Sequence, residues 1–556
     1  MIIPKIYEHL EHILAELNTQ QGWNAKFGLN LKEIQFTVEP PPQGINADLA
    51  TNIGLVLAKK VKQNPKMITE LFIPKLTELL TDYAEVTFSP PGFINFRLID
   101  RILYDTAKDI FEGKEFKGIT YGNNTKVLLE FISANPTGPL HIGHGRGAVL
   151  GDFLARAMEY LGYKVDTEYY INDAGRQMNL LGLSVKTKYR ELMNLPVITA
   201  EKDAVATDGY RGEYITDLAK TLIDKPGINP EDTVFFRKYA IENILNNIKT
   251  DLATARIEFK NWFSETTLYE KGVVKQTCEI LTQKGLAYQQ DNALWFKSTL
   301  SNDDKDRVLV RSDGNPTYFA SDIAYHQNKL DRGYTKLIDI WGADHHGYAP
   351  RLNAVMNLMG YPKEVLTIIL YQLVRLSRQG QPVVMSTRAG EFITFAEVMK
   401  EVGIDATRYF LLLRTPDTHL DFDLDLAKKQ SLENPVYYIQ YAHTRICGIE
   451  REAIKQNITP NTEVVELLKD DIEQQLLRKL CFFNDTVLSC VEHNTAHFLT
   501  SYLYTLAGLF HKYYDSHRVV VDDKNISSAR LLLMKAVQSV LCQGFSLLGI
   551  TAPDKM

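Results

Sequence analysis

Two histidines stand three residues apart in the segment 133–147, which reads SANPTGPLHIGHGRG. The segment follows a short apolar run, VLLEFI, typical of a buried parallel strand, and it precedes a helical pattern. In an open parallel sheet, ligands bind at the carboxyl ends of the strands, and a helix N-terminus there favours an anion. His141 and His144 are therefore predicted to donate hydrogen bonds to a phosphate as charge develops on it. The alternative is a glycine-rich connection whose histidines are satisfied in the core.

The same turn contains a glycine pattern that resembles a dinucleotide-binding fingerprint. Gly143, Gly145 and Ala148 fit G-x-G-x-x-A, and Asp166 lies about 20 residues further on. That fingerprint needs its first glycine directly after the strand, whereas residues 133–142 intervene here, which disfavours a nicotinamide cofactor. The sequence G-x-x-x-x-G-K-[ST] does not occur, so a P-loop is excluded.

Carboxylates stand where a cationic substrate could be held. Glu130 lies just before the end of the first predicted core strand, and Tyr318 and Asp322 share one face of a predicted helix. The alternative is an ordinary strand end and an ordinary helix face. Asp344 and His345 end another apolar strand at the same sheet edge. Adjacent Asp, His and His side chains point in different directions, so we predict no metal site.

A basic stretch at 371–390, YQLVRLSRQGQPVVMSTRAG, contains Arg375, Arg378 and Arg388 and no acidic residue. A cationic loop suits a pyrophosphate leaving group, because negative charge develops there in the transition state. The alternative is a solvated basic hairpin.

Length and composition limit the class of protein. The chain has 556 residues, which predicts three or four domains at about 150 residues each. The net charge of −6 does not exclude nucleic acid, because only a local patch touches the phosphates. Five cysteines without a CxxC pair predict reduced thiols in a cytosolic protein. No uncharged apolar run reaches roughly 18 residues, which excludes a membrane-spanning helix, and the charged start does not resemble a signal peptide.

The patterns along the chain predict an α/β protein of three parts. Residues 1–118 form an α+β unit, residues 119–403 a Rossmann-like parallel-sheet core with an insertion around 190–300, and residues 404–556 an α-helical bundle. The first part begins with a helix over 6–17. The predicted strands lie at 34–39, 84–88 and 93–98 in the first part and at 127–132, 164–170, 308–310, 336–341 and 366–371 in the second.

Several regions, in order, resemble the signatures of arginyl-tRNA synthetases, a family of class I aminoacyl-tRNA synthetases. PLHIGH resembles the HIGH signature within the context EFISANPTGPLHIGHGRG. The other matches are GADHHG (342–347) with an adenylate-side motif, VMSTRAG (384–390) with the KMSKS loop, DATRYF (405–410) with the DALR motif, and NPVYYIQYAHTRI (434–446) with the first anticodon-domain helix. The resemblance spans nearly the whole chain, including its end, LLGITAPDKM.

The resemblance implies an arginine–tRNA ligase. Such an enzyme activates L-arginine with ATP, releases pyrophosphate, and transfers arginine to the 3'-terminal adenosine of tRNA(Arg). It uses no nucleophile of its own, so catalysis rests on positioning and charge stabilisation. The family further implies ATP with Mg²⁺ as the substrate complex, a cytoplasmic monomer, an N-terminal domain that contacts tRNA, and an anticodon-binding C-terminal domain.

The matched motifs assign site residues, some of them to more than one role. The catalytic group is His141, His144 and Arg388. The ATP-binding group is Pro139, His141, Gly143, His144, Gly342, Asp344, His345, Met385 and Ser386. The arginine-binding group is Glu130, Ser133, Asn135, Tyr318, Asp322, Asp344 and His345. The tRNA-binding group is Tyr438, Tyr441, Arg445 and Met556, although an aromatic stripe of this spacing also fits a helical core.

The KMSKS-like loop departs from the family pattern, because Val384 stands at the first lysine position. Lys126, upstream of the HIGH-like turn, is a candidate substitute. The departure keeps open an inert tRNA-binding relative. A ligase for another amino acid is disfavoured by the cost of burying Glu130 and Asp322 against a neutral substrate. A stand-alone nucleotidylyltransferase is disfavoured because about 150 residues of helical tail would lack a role.

Overall fold

The computed structural model describes residues 1–42, 44–301, 303–383 and 393–556. In the first part of this described chain, helices cover a four-stranded antiparallel sheet whose two central strands are the second and the fourth along the chain. Its elements are α1 (Ile2–Gln21), α2 (Trp23–Phe27), a 3₁₀ turn (Leu31–Glu33), β1 (Val38–Glu39), β2 (Leu49–Thr51), α3 (Ile53–Val61), α4 (Pro65–Leu79), β3 (Ala84–Ser89), β4 (Phe93–Leu98) and α5 (Asp100–Phe111).

Helix α1 forms where apolar side chains recur at helical spacing. Ile6, Leu10, Ile13, Leu14 and Leu17 are all buried on its inner face. The helix ends at a glycine with φ of +65°, a conformation that glycine adopts without steric cost. The helix expected over 6–17 is thus confirmed. The strand expected over 34–39 is confirmed only at its last two residues, because its partner β2 has just three residues.

The second part is the α/β core. Its elements are β5 (Lys126–Phe131), α6 (Ile142–Tyr160), β6 (Lys164–Ile171), α7 (Arg176–Leu192), α8 (Thr199–Asp208), α9 (Glu213–Ile223), α10 (Thr233–Thr254), β7 (Asn261–Ser264), α11 (Thr266–Glu270), α12 (Val273–Gln283), β8 (Ala287–Gln290), β9 (Ala293–Phe296), a 3₁₀ turn (Ser298–Ser301), β10 (Arg307–Val310), α13 (Tyr318–Asp331), β11 (Lys336–Gly342), a 3₁₀ turn (Ala343–His345), α14 (Ala349–Leu358), a 3₁₀ turn (Lys363–Val365) and β12 (Leu366–Tyr371).

A parallel sheet is the centre of this core. Among the described residues it has five strands in the order β12-β11-β5-β6-β7, all pairing in parallel. Val127, Leu128 and Leu129 of the central strand are fully buried, as expected for a strand covered on both faces. The carboxyl ends of β5 and β11 therefore lie at one sheet edge, with the polar segments that follow them.

Two strands differ from the sequence prediction. Strand β10, expected in the parallel sheet, instead pairs antiparallel with β9 in a small separate sheet, β10-β9-β8. Strand β7 lies inside the stretch 190–300 that was expected to be an insertion, yet it pairs with β6 at the core sheet edge. The insertion after β6 is therefore shorter than the expected stretch 190–300, because it ends before β7 and contains helices α8, α9 and α10. Four residues of β7 are too few to show a periodic pattern in the sequence.

After β12 the second part ends with β13 (Val374–Arg378), β14 (Gln381–Pro382) and α15 (Phe395–Val402). The third part is mostly helical. Its elements are α16 (Ile404–Leu411), β15 (Leu420–Asp423), α17 (Leu424–Lys428), α18 (Pro435–Lys455), a 3₁₀ turn (Thr462–Leu467), α19 (Asp471–Leu480), α20 (Phe483–Glu492), α21 (His497–Ser516) and α22 (Lys524–Leu548). The α/β core with an N-terminal α+β unit and a C-terminal helical bundle is confirmed. Strand β15, which was not expected, pairs in parallel with β13.

Helix α22 is the most apolar long helix of the bundle. Within the described ranges it alone is long and apolar enough to cross a membrane by length and composition. Its apolar window is 67% buried inside the protein. The core of the bundle therefore accounts for the apolar character of this helix.

A buried arginine joins the core to the bundle. Arg408 of α16 is fully buried and pairs with Asp152 of α6. Its remaining N–H groups donate to the carbonyl oxygens of Leu548 at 2.9 Å and Ala255 at 2.7 Å. Asp405, three residues earlier, accepts hydrogen bonds from Arg256 at 2.6 Å and from Gln440 and Thr551 of the bundle. The DALR-like motif is thus the joint between the two parts.

We expect Asp152→Ala to lower the free energy of unfolding by about 3–5 kcal/mol, because it leaves the buried Arg408 guanidinium without a counter-charge. Urea denaturation followed by circular dichroism measures the loss. Asp105→Ala is the control, since Asp105 forms only exposed pairs on α5, and its cost should stay within about 1 kcal/mol. Equal losses of unfolding free energy in the two variants would contradict the role of the Asp152–Arg408 pair in joining the core to the bundle.

Candidate active site

The turn after β5 is held by hydrogen bonds from the neighbouring strand. Ile132 and Ser133 have φ of +69° and +40°, which is unusual for side-chain-bearing residues. Ser133 Oγ donates to Glu130 Oε1 at 2.7 Å and accepts from the backbone N–H of Tyr170 at 3.1 Å. The Tyr169 hydroxyl donates to the carbonyl of Ala134 at 2.8 Å. These contacts compensate the unfavourable backbone and direct the chain over the sheet edge.

His141 and His144 form a reciprocal cap at the N-terminus of α6. Each Nδ1 accepts the backbone N–H of the other residue, at 3.2 and 3.4 Å, and the rings stack with centroids 3.6 Å apart. Burial lowers the pKa of both imidazoles, that of His144 to about 3. Both rings are therefore neutral at pH 7, and the caps place their proton on Nε2. The pair can donate hydrogen bonds to an anion without carrying a charge.

Glycines let other groups approach α6 closely. A Cβ on Gly143 would lie 2.9 Å from the His141 ring, so the glycine permits the histidine stack. A Cβ on Gly145 would lie 2.4 Å from the Phe395 ring, and the Phe395 N–H donates to the carbonyl of Leu140 at 2.8 Å. The segment that follows residues 384–392 is thus fixed directly on the histidine turn.

A pocket of about 180 Å³ opens at the carboxyl edge of the sheet. It is lined by Glu130, Ile132, Ser133, Tyr170, Asp322, Tyr325, His326, Trp341, Gly342, His345 and Tyr348. The structure thus brings together four predicted arginine-binding residues, Glu130, Ser133, Asp322 and His345, which come from three separate elements. Aromatic side chains form much of the remaining wall.

A buried ionic network lies beneath the pocket. Lys329 Nζ donates to Glu130 Oε2 at 2.5 Å and to Asp339 Oδ1 at 2.8 Å. Nε2 of His326 lies 2.6 Å from Asp339 Oδ2. Burial opposes the charge on Lys329, but Asp339 and Glu130 hold its pKa above the ordinary value. Glu130 therefore lines the pocket while paired with a lysine that it shares with Asp339.

Asp322 is the carboxylate left to the pocket. Its Oδ2 accepts a hydrogen bond from the Tyr348 hydroxyl at 2.5 Å. Burial raises the pKa of this carboxyl, while the tyrosine hydrogen bond lowers it. Among the described residues Asp322 makes no ion pair. A planar cation entering the pocket would find this anion unpaired, as recognition of a guanidinium requires.

Three predicted arginine-binding residues lie outside the pocket wall. Tyr318 is 64% exposed at the start of α13, although it shares a helix with Asp322. Asn135 is exposed and donates to Gln177 Oε1 at 2.8 Å. The Asp344 side chain is 81% exposed, 3.4 Å from His345 Nε2. Of the predicted ATP residues, Gly342 and His345 line the pocket, while Pro139, Gly143 and the two histidines belong to the adjacent turn.

Three family models match the chain in order. They are the arginyl tRNA synthetase N terminal domain over residues 5–98, the catalytic domain of class I (R) tRNA synthetases over 107–418, and the DALR anticodon binding domain over 439–556. The arginine–tRNA ligase of Desulfovibrio desulfuricans is 46% identical over 563 residues, covering 99% of both chains. That of Syntrophotalea carbinolica is 45% identical over 532 residues, covering 94% of this chain and 95% of the relative.

The chain belongs to the arginyl-tRNA synthetase family. The solved arginyl-tRNA synthetase of Thermus thermophilus has the same fold, with a TM-score of 0.80 at 22% identity over 100% of both chains. The family resemblance drawn from the sequence motifs is thereby confirmed.

The basic loop of this synthetase lies largely outside the described residues. Met385, Ser386 and Arg388 fall there, as does Val384. Of the flanking arginines, Arg378 is paired with Glu401 at 2.7 Å. Lys126 begins β5 and so lies about 16 Å, at roughly 3.3 Å per residue, from the carboxyl edge where the pocket opens. Its role as a substitute for the missing lysine of the loop stays a prediction.

The first bundle helix of the synthetase carries a stacked, half-exposed array. The rings of Tyr437 and Tyr441 stack at 6.0 Å, and the Arg445 guanidinium lies between Tyr441 and Tyr514 at 4.6 and 4.5 Å. Tyr438 packs against the rings of Tyr504 and His511 at 4.9 and 4.6 Å. The rings of this array are partly exposed, so flat ligands can stack on their free faces.

The C-terminal tail is tied to the same helix. His443, which the sequence places among the aromatics, is buried, with Nδ1 3.0 Å from the carbonyl of Pro553. Possible metal-ligand atoms of His443, Cys447 and Asp554 lie within 4.8 Å of one another. Met556 helps to line a cleft of about 570 Å³ between α16 and α18. The tail thus places Met556 beside the helix that carries the aromatic array.

Several site residues were missed in the sequence. Lys329 and His326 follow Asp322 at positions i+7 and i+4 of α13, so the helix spacing could have flagged them. Tyr170 and Tyr348 come from elements whose approach depends on the sheet order, and no local pattern marks them.

We expect Gly145→Ala to destabilise the protein by about 1–3 kcal/mol, because the added methyl overlaps the Phe395 ring. Thermal and urea unfolding measure the change. Gly448→Ala is the matched control inside another helix, where the nearest atom is 3.8 Å away. That variant should gain up to about 1 kcal/mol from helix propensity. A gain in both variants would show that Phe395 does not pack on α6.

Proposed function

We propose that the protein activates L-arginine with ATP and transfers the arginyl group to the 3'-terminal adenosine of tRNA(Arg). One observation carries the proposal: the Asp322 carboxylate, which makes no ion pair within the described residues, faces a pocket next to the paired histidines of α6. Family membership and the curated arginine–tRNA ligases that it resembles support the same activity. The class I catalytic domain implies ATP-dependent catalysis and binding of an amino acid and a tRNA.

The arginine side chain enters with its guanidinium against Asp322. Tyr348 holds the carboxylate oxygen, and the walls of Trp341 and Tyr325 suit the flat cation. Glu130 acts mainly through Lys329, with which it is paired. Asn135, Tyr318 and Asp344 stay predictions of the family resemblance; each would have to turn toward the substrate from an exposed position.

The reacting groups are supplied by the substrates. The arginine carboxylate attacks the α-phosphorus of ATP in line, and the bond to pyrophosphate breaks. The neutral imidazoles of His141 and His144 donate from Nε2 to phosphate oxygens, which strengthens as charge develops. Mg²⁺ accompanies ATP as part of the substrate complex. We propose that Arg388, with Met385 and Ser386, receives the pyrophosphate side of ATP, and that Pro139, Gly143 and Gly342 border the nucleotide.

The tRNA is proposed to contact both ends of the chain. We assign residues 1–118 to tRNA contact, 119–403 to catalysis and 404–556 to anticodon binding, with Tyr438, Tyr441, Arg445 and Met556 nearest the anticodon. The stacked ring faces near Tyr441 support this assignment. A cytoplasmic monomer completes the proposal.

Arginine-dependent ATP–pyrophosphate exchange, with and without tRNA(Arg), tests the activity. Exchange with arginine that is far above exchange with the other nineteen amino acids is expected. Strong exchange with another amino acid would show that this amino acid, and not arginine, is the substrate. Binding of tRNA without any aminoacyl product from folded protein would favour the inert relative, with Val384 as the first position to restore to lysine.

We expect Asp322→Asn to raise the KM for arginine about ten- to a hundredfold, because a charged hydrogen bond to a buried guanidinium contributes about 1.5–3 kcal/mol. Steady-state aminoacylation measures it. Asp331→Asn on the same helix is the control, because Asp331 is exposed and, among the residues described, accepts a hydrogen bond only from Gln327. An unchanged KM in Asp322→Asn would remove this residue from the pocket.

We expect Tyr441→Ala to raise the KM for tRNA about fivefold to a hundredfold, because each lost base stack costs about 1–3 kcal/mol. The KM for arginine should stay at the wild-type value in the same assay. Ile454→Ala, at an exposed position near the end of α18, controls for changes in the helix itself. Equal KM values for tRNA in the two variants would show that Tyr441 is a core residue and does not stack on the tRNA.

A further inference from the structure

A histidine, a cysteine and an aspartate lie together where the C-terminal tail crosses the first bundle helix. His443 and Cys447 are one turn apart on α18, so their side chains share a face, and both are buried. Asp554 comes from the irregular tail and is exposed. The cluster is separate from residues 344–346, where the sequence predicts no metal site, and the proposed reaction does not use it.

The distances from the sulfur fit one metal coordination sphere. Cys447 Sγ lies 3.8 Å from His443 Nδ1 and 3.7 Å from Asp554 Oδ1. The ligand atoms of all three residues lie within 4.8 Å of one another. A tetrahedral Zn²⁺ has bonds of about 2.3 Å to sulfur and about 2.0–2.1 Å to nitrogen or oxygen, which separates sulfur from each neighbouring ligand by about 3.5 Å. Both sulfur distances are therefore within about 0.3 Å of the tetrahedral value.

The tail also offers a fourth ligand atom. The carbonyl oxygen of Pro553 lies 3.0 Å from His443 Nδ1, and the Thr444 hydroxyl donates to the same oxygen at 2.8 Å. Neighbouring nitrogen and oxygen ligands of one tetrahedral Zn²⁺ are about 3.3 Å apart, so this oxygen is close to the fourth corner. The hydroxyl of Thr444 holds the carbonyl from outside, as the hydrogen-bond partners of metal ligands commonly do.

The surroundings of the cluster favour a cation. Among the described residues Asp554 forms no ion pair. Lys535 of α22 is paired with Glu450 at 2.8 Å, and the neutral amide of Gln538 donates to Cys447 Sγ at 3.3 Å. A thiolate and a carboxylate would thus stand side by side with an imidazole. Sulfur, nitrogen and oxygen donors of this kind are the set that Zn²⁺ prefers.

We propose that His443, Cys447 and Asp554 form a zinc site that fastens the C-terminal tail to α18. The ion bonds to Nδ1, Sγ and Oδ1, with the Pro553 carbonyl at the fourth corner. The thiol gives its proton to water and binds as the thiolate. The imidazole loses its Nδ1 proton to water and gains one at Nε2, so it stays neutral, and one proton leaves for each ion bound. The site fixes the tail that carries Met556 to the cleft between α16 and α18.

Titration of the full chain with Zn²⁺ against a colorimetric chelator, without ATP, measures the site. One Zn²⁺ per chain is expected to bind. Co²⁺ serves as the spectroscopic probe, because a tetrahedral site gives it intense visible bands and a bound thiolate adds a charge-transfer band in the near ultraviolet. A Co²⁺ complex of the wild-type chain that lacks the thiolate band would overturn the inference.

Cys447→Ser should abolish the thiolate band and weaken Zn²⁺ binding by about a hundredfold or more, since losing even a group that only supports a metal ligand costs about 10–100-fold. Cys278→Ser is the matched control. It makes the same exchange at a helical cysteine with the same exposure of 7%, in α12, and should bind Zn²⁺ as the wild type does. Undiminished Zn²⁺ binding in Cys447→Ser would contradict the site.

Asp554→Asn tests the site without touching the core, because Asp554 is exposed. It should weaken Zn²⁺ binding about tenfold while the thiolate band of the Co²⁺ complex persists, because Cys447 is intact. Excess Zn²⁺ should raise the Tm of the wild type, and less so that of this variant. Asp522→Asn, at an exposed position before α22, is the control. Equal Zn²⁺ affinities in the two aspartate variants would show that no ion fastens the tail.

Discussion

The site depends on how the fold balances buried negative charge at one edge of the sheet. A carboxylate taken out of water must be paired, hydrogen-bonded or protonated. Lys329 forms ion pairs with both Glu130 and Asp339, and a tyrosine hydroxyl donates a hydrogen bond to Asp322. In the part of the chain that the structure describes, the Asp322 carboxylate thus stands beside the pocket without a cation as its partner. A site built this way favours a substrate that brings its own positive charge, and a neutral amino acid would leave the cost unpaid.

Helix α6 transmits the position of that site to the rest of the molecule. Its first turn carries the paired histidines. One turn further, the Arg146 guanidinium donates to the carbonyls of Gln372, Thr418 and Thr415 at 2.7–2.9 Å. Still further along, Asp152 pairs with Arg408 of the bundle. A single helix therefore holds the histidine turn, the strand pair β13–β15 and the C-terminal helical bundle in one frame, which suits a protein whose substrates include a long RNA.

The sequence was a good guide wherever the signal was local. The histidine spacing, the apolar run before it and the helix that holds Asp322 were all predicted, because periodicity and turn chemistry act over a few residues. The arginine contact of Tyr318 stays a prediction. Tyr318 lies on the same helical face as Asp322, but at the exposed first turn of the helix, while Asp322 faces the pocket. Helical spacing predicts which residues share a face, but not how far along a helix the ligand lies.

By itself the sequence determined the class of each segment, the order of the three parts, the family, and the residue types at the turn after β5. These follow from local pattern and from motifs that keep their spacing. Only the tertiary structure decided that Lys329 pairs with both Glu130 and Asp339, and that β7 joins the core sheet. Those pairings join residues far apart in the chain, and no local pattern encodes them, because they depend on which strands become neighbours in the sheet.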